Sequence, residues 1–270
     1  MSKTKAWEEL TLADHFIFQK FMLNDEMCKQ VLSEIIGKEV VKIEHFEYEK
    51  SIQMRYDSKG IRLDVYVKGE DDVYNVEIQN SEECHLPKRS RFYQNMIDLD
   101  LLEKGESYDH LCHSYVIFIC TFDYFKMNQY KYTFTYQCNE VDGLEFGDMT
   151  THIILNTMGT EGNISEKLKT FLKSINDVFS DDSFSAKIRK ELDRIKFSEE
   201  WRVDYMYYEL KMKEHEEIGE KRGIEIGEDK LGALVSILLK EGRIEEAQKV
   251  STDEEYREQL YMEYGIGEDK

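Results

Sequence analysis

The sequence predicts an α/β fold in which a central mixed sheet is flanked by helices and followed by an all-helical C-terminal extension. Three observations carry this prediction. Strand-like segments precede and follow a long helical pattern at 88–103, the segment at 115–120 is continuously apolar, and the pattern from about residue 164 onward is helical only. A continuous apolar run is typical of a strand that is covered on both faces. With 41% of its 270 residues hydrophobic, the chain has ample material for a packed core.

Two helices are predicted at the start of the chain, within residues 8–36. In the first helix the apolar residues recur at helical spacing, as Phe16, Ile17 and Phe21 show. The second helix follows Asn24 and ends at Gly37, because glycine readily adopts the left-handed conformation that terminates helices.

An antiparallel meander is predicted next. Residues 40–56 are rich in β-branched and aromatic residues, 61–68 alternate apolar and polar residues, and 73–79 form a returning strand. Turn signals at 57–60 and 69–72 separate these segments.

The middle of the chain combines one helix with three further strands. Pro87 stands in the first turn of a helix predicted over 88–103, where the missing N–H of proline costs no hydrogen bond. Strands are predicted at 114–121, 130–137 and 151–156. This order indicates at least one helix packed on a central sheet.

The C-terminal part is predicted to be helical at 164–175, 184–194 and 198–220. Glycines then recur every four residues at Gly219, Gly223 and Gly227, among charged residues. We expect a hinge or thin charged connector here, followed by a small acidic helical tail that serves as a partner or homo-oligomer contact. The predicted domains are therefore 1–160, a helical extension at 161–218, and the connector and tail at 219–270.

Composition and charge exclude several classes of protein. The chain has 36 Lys and Arg against 56 Asp and Glu, a net charge of −20, which argues against a passive, non-specific nucleic-acid binder. No run of 18 apolar residues and no apolar N-terminal segment is present, so we expect no membrane span and no signal peptide. The five cysteines form no Cys-x-x-Cys pair, which favours reduced thiols and a cytoplasmic location.

One pair of acidic residues indicates chemistry. If the turn at 69–72 closes a hairpin, Asp64 lies beside Glu77 on one polar face, with Gln79 two residues further along the strand. Two carboxylates that converge on a sheet suit Mg²⁺, which takes oxygen ligands and is usually held by one or two carboxylates plus waters and phosphate. A solvated polar face of an antiparallel sheet would show the same pattern, and the residues alone leave both interpretations open.

These residues carry a family resemblance. Asp64 followed by Glu77-x-Gln79 resembles the Asp…Glu-x-Lys core of the PD-(D/E)XK nucleases, with glutamine in the lysine position. The context resembles one branch of these nucleases more specifically, the Rpn-type recombination-promoting nucleases, also known as PD-(D/E)XK nuclease family transposases. Their further motifs are matched, in order, by Asp14 to Phe18, Arg62 with Asp64, Val76 to Gln79, Arg89 with Tyr93, and Gly105 with Tyr108.

The resemblance implies a restriction-endonuclease-like fold and metal-dependent cleavage of DNA, usually with Mg²⁺, linked to recombination or mobile elements. It makes Asp64 and Glu77 metal ligands and places Gln79 among the catalytic residues. Asp14 becomes an additional acidic ligand. The residues expected to contact substrate are Arg62, Lys88, Arg89, Arg91 and Tyr93.

Gln79 also supports an alternative function. A neutral glutamine can orient a water molecule, but it cannot supply the positive charge of lysine. The alternative is a catalytically weak or inactive nuclease-fold protein that acts as an interaction or oligomerisation module. The seven histidines show no metal-ligand spacing, and no role is predicted for them.

Overall fold

The computed structural model of the chain describes residues 5–52, 60–82 and 85–266. The chain divides into two compact units, 1–202 and 203–270. The domain boundaries expected at residues 160 and 218 remain predictions. The turn predicted at 57–60 lies almost wholly outside the described residues.

The N-terminal helices form as predicted, with a later start for the first. A short 3₁₀ turn at Trp7–Glu9 precedes α1 (His15–Met22) and α2 (Asp25–Ile36). The side chain of Asn24 accepts a hydrogen bond from the Met27 backbone N–H at 3.1 Å and caps α2. Gly37 ends α2 with a φ of +74°, which confirms the predicted stop.

A six-stranded mixed sheet forms the centre of the first unit. Its strands, in chain order, are β1 (Ile43–Ile52), β2 (Ile61–Gly69), β3 (Asp72–Gln79), β4 (His113–Cys120), β5 (Lys131–Phe134) and β6 (Thr150–Asn156). Their order across the sheet is β1-β2-β3-β4-β6-β5. The first three strands are antiparallel, β3, β4 and β6 are parallel, and β5 pairs antiparallel with β6. The predicted restriction-endonuclease-like core is confirmed.

Both faces of the sheet centre are buried. The helix α3 (Leu86–Leu101) contributes Leu86, Met96 and Ile97 to a cluster that includes Val116 and Phe118 of β4. The alternating residues of the same strand are equally buried on the other face, including Ile117 and Ile119 at 0% exposure. This two-sided burial explains the continuous apolar run of β4.

Two further helices complete the first unit. They are α4 (Glu166–Ile175) and α5 (Ser183–Lys196). α5 packs on α1 and α4, and α4 also contacts α2, while α1 contacts β2. α1, the helix that bears His15, is thereby held between the sheet and α5.

Of the two alternatives expected at the glycine repeat, the hinge is wrong, and the thin charged connector stays a prediction. Gly219, Gly223 and Gly227 lie within one continuous helix, α6 (Glu199–Lys240), of 42 residues. A glycine inside a helix costs only about 1 kcal/mol relative to alanine and keeps its backbone N–H, so the strong helix formers around it maintain the helix. α7 (Ile244–Lys249) and α8 (Glu254–Tyr264) follow. The second unit has its own small core, which is formed by Leu234, Leu238, Ala247, Val250 and Leu260.

No helix in the described part of the chain is long and apolar enough to cross a membrane. The described cysteines, Cys28, Cys112, Cys120 and Cys138, carry free thiols. The cytoplasmic location expected from the cysteines stays a prediction.

Candidate active site

The strands β2 and β3 are joined at one end by side chains rather than by backbone pairing. Their described pairing runs from Lys68–Val73 to Val65–Val76. One residue further, the backbone N–H of Asp64 donates to Glu77 Oε1 at 3.0 Å. The backbone N–H of Ile78 donates to Asp64 Oδ2 at 3.2 Å. The predicted hairpin is confirmed, and both carboxylates lie where its two strands separate.

This part of the sheet is buried, so the polar face is not a solvated one. Glu77 is 3% exposed, Tyr66 2% and Asn75 0%. The amide of Asn75 lies near Glu77, but neither of its polar atoms makes a hydrogen bond of good geometry among the described residues. Because buried polar groups are nearly always satisfied, the amide of Asn75 is an exception, and it lies beside the two carboxylates.

The pKa of Glu77 is shifted by its burial and by the neighbouring charges. Burial is the main cause that raises the pKa of Glu77 far above its ordinary value, and the nearby carboxylate of Asp64 adds to it. The backbone N–H of Asp64 and the guanidinium of Arg89 offset part of the effect. Without a cation, Glu77 therefore takes up a proton more readily than an exposed glutamate does.

A cation from α3 lies beside the pair. Arg89 Nη1 donates to Gln79 Oε1 at 2.7 Å, and Arg89 Nη2 donates to Tyr93 Oη at 3.1 Å. The same Nη2 is 3.7 Å from Glu77 Oε2. The guanidinium lies over the rings of Tyr93 and Phe118, at 5.4 and 5.3 Å from their centroids. Arg89 and Tyr93, which are four residues apart on α3, thus both face the predicted catalytic residues. A spacing of four residues places two side chains on the same side of a helix.

The sequence interpretation missed a contact of His15. Its Nδ1 lies 2.9 Å from Asp64 Oδ2, and its side chain is 43% exposed. Burial lowers the pKa of His15, but the hydrogen bond and charge of Asp64 outweigh burial, and the net pKa is raised. The only indication of this contact in the sequence is that His15 directly follows Asp14 in the first family motif, Asp14 to Phe18.

Asp14 occupies the N-cap position of α1, but its side chain makes no capping hydrogen bond to the helix. Its two oxygens accept from Lys5 Nζ at 2.7 Å and from the Thr11 backbone N–H at 2.7 Å. Within residues 5–52, 60–82 and 85–266, no group of three or more His, Cys, Asp or Glu side chains is arranged to hold a metal ion. The role of Asp14 as a metal ligand stays a prediction.

The sequence profile of the PD-(D/E)XK nuclease family transposases matches residues 15–217. This covers more than half of the chain. The chain belongs to this family. No match was found among curated proteins or among solved structures.

The family match includes every predicted site residue of this family member except Asp14. It extends over the whole sheet and α3, and it ends within α6. Membership supports a nuclease fold linked to mobile elements.

The remaining residues that are predicted to contact substrate are dispersed. Arg62 is half exposed and lies 4.0 Å from Glu49. Lys88 and Arg91 are exposed on α3. Arg91 lines a separate pocket, so the three basic residues of α3 do not act as one cluster. Arg89 and Tyr93 are the members that the structure brings to the carboxylates.

Proposed function

We propose that this protein is a metal-dependent DNA endonuclease that hydrolyses phosphodiesters and acts in recombination or on mobile elements. The observation that carries the proposal is the convergence of the buried carboxylates of Asp64 and Glu77 at the point where β2 and β3 separate. Burial and mutual repulsion both raise the free energy of such an acidic pair, and a bound cation would offset both effects.

The donor set fits Mg²⁺ or another hard divalent cation. It consists of two carboxylates, and Mg²⁺ is characteristically held by one or two carboxylates with waters and substrate phosphate in its other positions. The raised pKa of Glu77 and the unsatisfied amide of Asn75 both fit a site that takes a cation. Bound there, the ion supplies an activated water and neutralises charge on the phosphate.

The side chains of the protein position the substrate. Arg89 fixes the carboxamide of Gln79 by its hydrogen bond, so that the Gln79 side chain is oriented before substrate arrives. The same guanidinium supplies the positive charge that glutamine lacks, since guanidinium groups bind phosphate oxygens strongly. The rings of Tyr93 and Phe118 pack against the guanidinium and hold it in place. Arg62 and Lys88, both exposed, contact more distant phosphates of the DNA.

A plasmid-nicking assay with Mg²⁺ tests the proposal. We expect Asp64→Asn and Glu77→Gln to lose cleavage, because each removes a charged ligand while it keeps the shape of the side chain. Asp71→Asn is the matched control, since Asp71 is exposed in the turn between β2 and β3. Calorimetry with Mg²⁺ should show binding by wild type and by Asp71→Asn only.

Two outcomes would overturn the proposal. Equal nicking by all four proteins would show that another site or a contaminant cleaves. Undetectable nicking and undetectable Mg²⁺ binding by wild type would favour the alternative, a nuclease-fold protein that acts as an interaction module.

We infer that a second copy of the chain covers one side of α6. Val203, Met206, Tyr207 and Leu210 are between 47% and 66% exposed, at spacings of three and four residues. Such spacing places them on one side of the helix, where an identical helix can bury them. We propose this side of α6 as the contact surface of the homo-oligomer that is expected through the C-terminal helices.

A further inference from the structure

A separate pocket lies on the side of the sheet that α3 covers. Its volume is about 290 Å³. Its principal lining residues are Arg91, Phe125, Phe134, Tyr136, His152 and Ile154. This volume is at the small end of ligand pockets and suits a single flat ring system.

Aromatic rings dominate the open side of this pocket. Phe134 ends β5, and Tyr136 follows it after one residue, so alternation along an extended chain places both on one side. They are 44% and 53% exposed. Phe125 supports Phe134, with ring centroids 5.3 Å apart at an interplanar angle of 48°. Exposed rings at a concave surface are well placed to stack on a planar ligand.

Polar groups are present at the rim. Arg91 has no ion-pair or hydrogen-bond partner among the described residues, so its charge is available to an anion. Ser90 Oγ and His152 Nδ1 are hydrogen-bonded at 2.7 Å, which fixes the imidazole in the pocket wall. A cation beside stacked rings favours a ligand that is both aromatic and anionic.

The pocket and the candidate metal site are neighbours across the sheet. Glu77 is in register with Phe118, and Phe118 is in register with Ile154 of the pocket. Two strand spacings separate Glu77 from Ile154, which is about 10 Å. α3 also links the two places, because Arg89 and Arg91 are two residues apart.

We propose that this pocket binds one unpaired base of the DNA strand close to the scissile phosphate. Phe134 and Tyr136 stack on the base, and Arg91 binds the phosphate of the same nucleotide. That the bound strand is the DNA strand to be cleaved rests on the proposed nuclease function. Binding of a base can nevertheless be measured without cleavage. The base is unpaired, because the pocket admits one ring system rather than a base pair.

Binding of a fluorescein-labelled single-stranded oligonucleotide, measured by anisotropy in EDTA, tests this inference. We expect Phe134→Ala and Tyr136→Ala each to weaken binding by about fivefold to hundredfold, the range found for stacked bases. Phe197→Ala is the matched control, since this residue is 84% exposed and lies outside the pocket. Thermal melting confirms that each variant is folded.

An oligonucleotide with abasic residues separates base binding from backbone binding. Base removal should weaken binding to wild type and have little further effect on Phe134→Ala. Wild-type affinity in both pocket variants, equal weakening by base removal in all proteins, or undetectable binding by wild type would each overturn the inference. Cleavage that persists without base stacking would support the nuclease and reject the pocket, whereas stacking by a protein that shows neither nicking nor Mg²⁺ binding would reject the nuclease and support the pocket.

Discussion

Arg89 donates a hydrogen bond of 2.7 Å to the side-chain oxygen of Gln79. The guanidinium is also 3.7 Å from Glu77 Oε2, so a fixed positive charge stands beside the glutamine that replaces the usual lysine. The charge that Gln79 lacks is thus present, but it comes from a helix rather than from β3.

The first prediction is that a lysine at position 79 can partly replace the positive charge of Arg89. Arg89→Ala should lower kcat of Mg²⁺-dependent cleavage by about hundredfold, the usual effect of removing one preorganised charge-stabilising donor. Gln79→Lys alone should not raise activity, because the new ammonium would be placed against the guanidinium of Arg89. The double variant should recover part of the loss, because a lysine at position 79 can then supply the charge. Double-variant activity no higher than that of Arg89→Ala would contradict this account.

The second prediction concerns the stability of the metal-free protein against pH. The pKa of Glu77 in the folded state lies above its unfolded value near 4.5. Its stabilising contribution is therefore fully present below about pH 4.5 and is lost as the pH rises through the folded pKa. Glu77→Gln does not titrate at this position, so its melting temperature should exceed that of wild type increasingly toward alkaline pH.

Melting curves in EDTA, recorded from acidic to mildly alkaline pH, would measure this difference. Glu70→Gln, an equivalent change in the exposed turn, is the control. A constant difference between Glu77→Gln and wild type across the range would refute the prediction. Added Mg²⁺ should raise the melting temperature of wild type but not of Glu77→Gln, because a ligand stabilises only the protein that binds it.

The third prediction concerns the His15–Asp64 contact. NMR titration should show a pKa of His15 above 6.5 in wild type. Asp64→Asn should bring this pKa below its wild-type value, because burial then acts without the carboxylate. The pKa of His113, which burial lowers, is the internal control and should not move. A pKa of His15 that is the same in both proteins would show that the ion pair does not form in solution.

The fourth prediction concerns oligomeric state. Leu210→Gln should shift the molar mass measured by light scattering toward the monomer, because it removes an apolar group from the exposed side of α6. Lys211→Gln, on the same helix, is the matched control. An identical mass for wild type and Leu210→Gln would reject the contact surface on α6.

Local patterns were sufficient to predict most of the regular elements. Hydrophobic periodicity predicted the strands, α3 and the stop at Gly37, because alternation and left-handed glycine are local properties. The glycine repeat led to one wrong prediction, because a hinge was among the structures expected where α6 is continuous. Whether a glycine interrupts a helix depends on the summed helix propensity of the residues around it. Three glycines that are separated by strong helix formers do not lower this sum enough to break α6.

The sequence itself determined the acidic pair, its strand register and the helix pair Arg89 and Tyr93. A spacing of two residues on a strand, or of four on a helix, dictates which side chains share a face. Only the tertiary structure decided that Glu77 is buried beside α3, that His15 of α1 contacts Asp64, and that Asp14 bonds Lys5 and Thr11 instead. It also separated Arg91 from Arg89 and placed it at the aromatic pocket. These relations join elements that are distant in the chain, and their packing, which no local spacing encodes, sets the burial and the charge environment of each group.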